Sequence, residues 1–116
     1  MRADEHSDLL IKITPNDRGN PTGKLADVEL HFTGRSPLAG LKLIGFSIWE
    51  RPAGRGRYVL FPARQYAVKG ERRSFALLRP IVDRAAQDTI RDRILEAYAE
   101  HEQRAAADDA QGPARR

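Results

Sequence analysis

Between Arg51 and Arg79 the chain carries eight basic residues, Arg51, Arg55, Arg57, Arg64, Lys69, Arg72, Arg73 and Arg79, and one acid, Glu71. That is a local charge of +7 in a chain whose formal net charge is +4, so the remainder is acidic overall. Arginine keeps its charge at any physiological pH, and its planar fork donates two parallel hydrogen bonds to a phosphate or carboxylate. Clustered cations attract polyanions by steering and by counterion release. Gly54, Gly56 and Gly70 punctuate the basic stretches and let the backbone approach a ligand closely. Tyr66 lies in the second basic stretch, and Tyr58 directly follows Arg57 at the start of the apolar strand between the two. An aromatic ring in that setting stacks on an unpaired base. The chemistry implied is phosphate binding with room for base contact. The competing reading is that arginines populate exposed turns for solubility, or that Tyr66 folds over the core as a loop anchor.

Other chemistries are poorly represented. The chain has no Cys, which excludes a disulfide framework and thiolate metal ligands. His6, His31 and His101 fall in a tail, a strand and a helix end, without ligand spacing. Asp27, Glu29 and His31 alternate along one strand face, where a divalent ion is conceivable, but ordinary half-buried alternation already explains them. Gly54-x-Gly56 lacks the strand–turn–helix setting of a dinucleotide site. Ser36, Ser47 and Ser74 have no evident base. The expectation is a non-enzyme with no cofactor, no metal and no small-molecule substrate. A small enzyme with a site assembled from dispersed residues is the weakest alternative.

The elements that must hold the cations follow from periodicity. Leu9, Ile11 and Ile13 alternate in LLIKIT, a strand. PNDRGNPTGK is a loop. LADVELHF sets Ala26, Val28, Leu30 and Phe32 against Asp27, Glu29 and His31, the cleanest half-buried strand. Leu38 to Trp49 is apolar on both faces: Ile44, Phe46 and Ile48 on one, Leu41, Leu43 and Trp49 on the other. This predicts a central strand needing cover on both sides. RYVLFP is the next strand, ARQYAVKGERR a longer connection turning at Lys69-Gly70, and SFALL a last short strand. From Asp83, an expected N-cap, Ile90, Ile94, Ala97 and Tyr98 recur at helical spacing to about Arg104. Glu100 and Arg104 are spaced for an i,i+4 ion pair. Trp49 and Phe46 read as core or dimer contacts, Tyr98 as core with its hydroxyl at the rim.

The fold class expected is therefore α+β: an antiparallel β-meander of about five strands followed by one C-terminal helix. Residues 1–7 read as a flexible N-terminus, 8–105 as a single domain and 106–116 as a disordered tail. The helix covers one face of the sheet, and a second copy of the chain is the simplest cover for the other. Pairing of a sheet edge would also remove an aggregation hazard. Neither a signal peptide nor a run of about 20 apolar residues is present, so a cytoplasmic protein of bacterial type without membrane contact is expected.

GKLADVELHF, an apolar strand, VLFPAR, a basic Gly-containing turn, RPI and a helix ending ILEAYAEH follow one another in order. From about Ile11 to His101 this order resembles the stage V sporulation protein G family of septation regulators (SpoVG). The most specific pieces are Phe61-Pro62-Ala63-Arg64, the Gly70 turn, Pro80-Ile81 and Ile94-Leu95-x-x-Tyr98. The chain departs from that family in having Phe61 to Arg64 for Met-Pro-Ser-Arg, Arg79 for His, and a more basic ERPAGRGR loop. The resemblance implies a small α+β homodimer that binds DNA or RNA in gene regulation, without cofactor or catalysis. It assigns binding to Arg64, Lys69, Arg72 and Arg73, ahead of the helix.

Arg79 and Arg84 lie near the helix start, whose free N–H groups favour anions. Arg51, Arg55 and Arg57 sit at the other end of a strand, about 20 Å away at roughly 3.3 Å per residue. One small patch cannot hold both loops. Either a nucleic acid crosses the sheet face, or a dimer axis gathers different loops; the second is favoured, with Arg64–Arg73 the principal contact and Arg51–Arg57 a flank. A protein-interaction adaptor using the sheet edge or helix, its arginines serving an acidic partner, is the alternative on the same fold.

Overall fold

The computed structural model describes residues 8–111, with side chains to residue 108. The fold is α+β. Four strands, β1 (Leu9–Pro15), β2 (Lys24–Phe32), β3 (Lys42–Glu50) and β4 (Arg57–Leu60), form an antiparallel meander in sequence order. Two more, β5 (Ala63–Val68) and β6 (Glu71–Ala76), pair only with each other. Helix α1 (Ala85–Gln111) is the last of the described elements.

The register of the meander explains its core. Ile13 pairs with Val28, Ile11 with Leu30, Val28 with Phe46 and Ala26 with Ile48, so one face is continuously apolar. Helix α1 lies across that face and contributes Ile94 and Tyr98. Ala26, Val28, Leu30, Phe46, Ile48 and Ile94 are each at most 2% exposed, which places the whole centre of the core on β2, β3 and α1. Burial of each large side chain among them stabilises the fold by about 1.5–3 kcal/mol relative to exposure. Asp83 caps the helix as expected: its Oδ1 accepts from the Ala85 amide at 2.9 Å.

Three features depart from the sequence expectation. First, β3 starts at Lys42, and a bulge shifts its phase between Leu43 and Phe46. Leu43 therefore turns to the core beside Phe46 and Ile48, while Ile44 is left 59% exposed. Apolarity on both faces reflects this phase change instead of a strand sandwiched between two covers. The face away from the helix is polar at its centre. There Glu29 accepts from His31 Nε2 at 2.8 Å and Lys42 Nζ at 3.3 Å, and Lys24 pairs with Asp27 at 2.7 Å. The His31 hydrogen bond, then Lys42, holds the Glu29 carboxyl below the ordinary carboxylate range. Trp49 is half-buried on this face and donates to Ser47 Oγ at 2.8 Å.

Second, the described residues form six strands. Residues 63–73, expected as a connection, make β5, a two-residue turn and the start of β6. The turn Lys69-Gly70 has φ of 51° and 81°. Positive φ at both central residues is the type I′ geometry whose twist matches a β-hairpin. Third, the expected tail begins at Ala106, whereas the helix continues to Gln111. Ala105, Ala106, Ala107 and Ala110 have the highest intrinsic helix propensity and need no core to stay helical at the end of a long helix. The expected flexible N-terminus, 1–7, and the rest of the expected tail, 112–116, lie outside the described residues.

Candidate nucleic-acid interface

Pro62 ends the meander. Its Cβ lies 2.9 Å from where a side chain on Gly45 would begin, so the glycine in the β3 bulge (φ 106°) is what lets the chain leave the sheet there. The hairpin is tied back at its base by the Leu77 amide, which donates to the Pro62 carbonyl at 2.9 Å. Beyond that base every residue of β5, and every residue of β6 before Ala76, is exposed. It is an arm with no core beneath it.

Register sorts its side chains by face. Arg64 pairs with Phe75, Tyr66 with Arg73 and Val68 with Glu71; paired residues share a face. This first face alternates cation and aromatic across both strands. Tyr66 and Phe75 meet edge to face at 5.7 Å between ring centroids. The Arg79 guanidinium reaches back over Phe75 at 5.6 Å, held by its Nε donating to the Ala76 carbonyl at 3.0 Å. The second face carries Ala63, Gln65, Ala67, Arg72, Ser74 and Ala76, so Arg72 is separated from Arg73 by the thickness of the hairpin. Lys69 stands at the tip.

Among the described residues, Arg64, Lys69, Arg72 and Arg55 form no ion pair. Arg73 Nη2 lies 3.0 Å from Glu71 Oε1, but both side chains are more than half exposed. Such a pair is worth about 0–1 kcal/mol and yields readily to a competing phosphate. Arg84, at the helix start, is 82% exposed and only 4.0 Å from Asp88 at its nearest. The structure thus brings together Arg64, Tyr66, Arg73 and Arg79, puts Lys69 beside them at the tip, and leaves Arg72 and Arg84 on other surfaces.

The Arg51–Arg57 loop is not part of this arm. The Arg51 guanidinium stacks 4.9 Å over Tyr58, Arg55 is exposed, and the loop rounds a short 3-10 turn, Pro52–Gly54. Arg57, expected as a flanking phosphate contact, is committed to the fold instead. Both its terminal nitrogens donate to the Glu102 carboxylate at 2.7 Å, and its guanidinium lies 5.0 Å over Tyr98. The Glu102 bonds raise the Arg57 pKa further, and burial raises that of Tyr98. The expected Glu100–Arg104 pair is not formed; both side chains line an open groove of about 750 Å³ between β1 and α1. Lys12, Arg93 and Arg104 there are interspersed with Glu96 and Glu100, so the groove mixes both signs of charge.

Phe75 is the member that the sequence did not reveal, because SFALL reads as a core strand. The signal was present. A two-residue turn at Lys69-Gly70 fixes 68 opposite 71, 66 opposite 73 and 64 opposite 75. Among the described residues no group of three His, Asp or Glu side chains can hold a metal ion, and no helix is long and apolar enough to cross a membrane. Comparison with family models, with curated proteins and with solved structures finds no match to this chain.

Proposed function

We propose that this protein is a SpoVG-like regulator that binds nucleic acid, DNA or RNA, as a homodimer, with the β5–β6 arm as its principal contact. The observation that carries this reading is the arm itself: a projecting hairpin with a net charge of +3 whose cations are either unpaired or weakly paired in the described chain. An exposed hairpin without a core face leaves these cations accessible to the counter-charge of a partner. Phosphate contacts of this kind supply affinity and register, and they read no sequence by themselves.

Support for a second copy comes from the connection between arm and helix. Ile81 is 98% exposed and Val82 90%, beside Leu77 at 57%. Clustered exposed apolar residues mark interaction surfaces.

Titration of binding against salt tests the phosphate reading. Each phosphate neutralised on duplex DNA adds about 0.9 to the slope of log K against log salt. The wild-type chain should show a slope of several units, and Arg64→Ala/Arg73→Ala should flatten it by about one to two. A flat wild-type profile on both DNA and RNA would transfer the arm to the adaptor reading, in which it grips an acidic protein.

A further inference from the structure

We infer that the first face of the arm is a stacking platform that selects single-stranded nucleic acid over duplex. This rests on the nucleic-acid reading above and narrows it. A purely electrostatic arm needs cations alone. This one places two aromatic rings at 41% and 39% exposure, Tyr66 and Phe75, on the face that holds Arg64, Arg73 and Arg79. The opposite face has one arginine and no aromatic.

The spacing suits a splayed strand. Each ring has an arginine directly across the ladder, Arg73 opposite Tyr66 and Arg64 opposite Phe75. Facing side chains of an antiparallel pair stand about 5 Å apart at Cβ. A base resting on Tyr66, or displacing Arg79 from the face of Phe75, therefore leaves its own phosphate within reach of a guanidinium. The edge-to-face contact, with ring planes at 66°, keeps the rings from closing face to face on one another. Inside a duplex the bases are stacked on their neighbours and offer no face to Tyr66 or Phe75. Only the charge term then remains, and it is common to both substrates. Stacking is tolerant of base identity, so the preference is for strandedness before sequence.

The simpler role for the two rings is to hold the hairpin together, since aromatic pairs stabilise by about 0.5–1.5 kcal/mol. That role predicts equal losses on every substrate. The test is anisotropy with the full-length chain and labelled oligonucleotides of one length: oligo-dT, oligo-rU and a mixed duplex. The wild type should bind the single strands more tightly than the duplex. Tyr66→Ala/Phe75→Ala should weaken single-strand binding about 10-fold or more, with the duplex changed less than about 2-fold. Tyr66→Leu/Phe75→Leu, which keeps apolar packing between the strands but has no π face, should behave the same way and guards against loss of the hairpin. Arg64→Ala/Arg73→Ala should weaken all three. If both aromatic variants weaken strand and duplex alike, or neither changes the ratio, the platform is wrong while nucleic-acid binding stands. If none of the oligonucleotides binds the wild type at low salt, the underlying reading fails with it. The dT and rU arms separate DNA from RNA as the single strand preferred.

Discussion

Arg57 and Arg64 are the same residue type seven positions apart, and they stand in unlike settings. Arg57 joins β4 to α1 through two 2.7 Å bonds to Glu102 and covers the Tyr98 ring. Arg64 stands on an exposed strand without an ion pair among the described residues. Their side chains separate the two consequences of losing an arginine. Arg57→Ala removes a partly exposed ion pair, a cation–π contact and the aliphatic packing of the stem, and should lower stability by about 1–2 kcal/mol in thermal or denaturant unfolding. It should leave the salt slope of nucleic-acid binding unchanged. Arg64→Ala should do the reverse: little change in unfolding and a slope lower by about one. A slope that falls with Arg57→Ala would mean that the pair with Glu102 opens on binding. Sequence alone could not divide these residues, because the partner of Arg57 lies 45 positions away on the helix.

At the scale of elements, legibility followed burial. β2 was readable because one face meets the core and the other water, which writes strict alternation into KLADVELHF. The helix was readable from Ile90, Ile94 and Tyr98 for the same reason. β5 and β6 face water on both sides, so no alternation of polarity marks them, and only the turn betrays the hairpin. That turn also separates geometry from charge. Lys69 holds φ at 51°, a strained value for a side chain with Cβ, while Asn-Gly is the favoured pair for this turn type. Lys69→Asn should therefore keep or slightly raise hairpin stability while removing the tip cation. Strand pairing by NMR should be preserved, and the salt slope should fall by about one if Lys69 meets a phosphate. An unchanged slope would restrict the contact to the Arg64–Arg73 face. Gly70→Ala offers the opposite perturbation, retaining every charge while straining φ of 81°.

At the scale of the molecule, the proposed dimer turns on the connection that leads from arm to helix. Ile81 and Val82 are nearly fully exposed, and covering each would gain about 1.5–3 kcal/mol. Two copies meeting there about a two-fold axis would bury the same residues twice and bring two arms into one assembly. Linked arms gain from effective concentration on a strand long enough to reach both, and gain nothing on one that reaches a single arm. Ile81→Asp/Val82→Asp should leave unfolding of the isolated chain nearly unchanged, because neither side chain contributes to the core. It should convert a dimer to a monomer by solution mass. Affinity for a long single strand should then fall by about 10-fold or more, with affinity for a short oligonucleotide unaltered. A wild-type chain that is already monomeric would remove the dimer from the proposal and leave the single arm to act alone. Loss of short-strand affinity in the variant would instead make Ile81 and Val82 part of the contact itself.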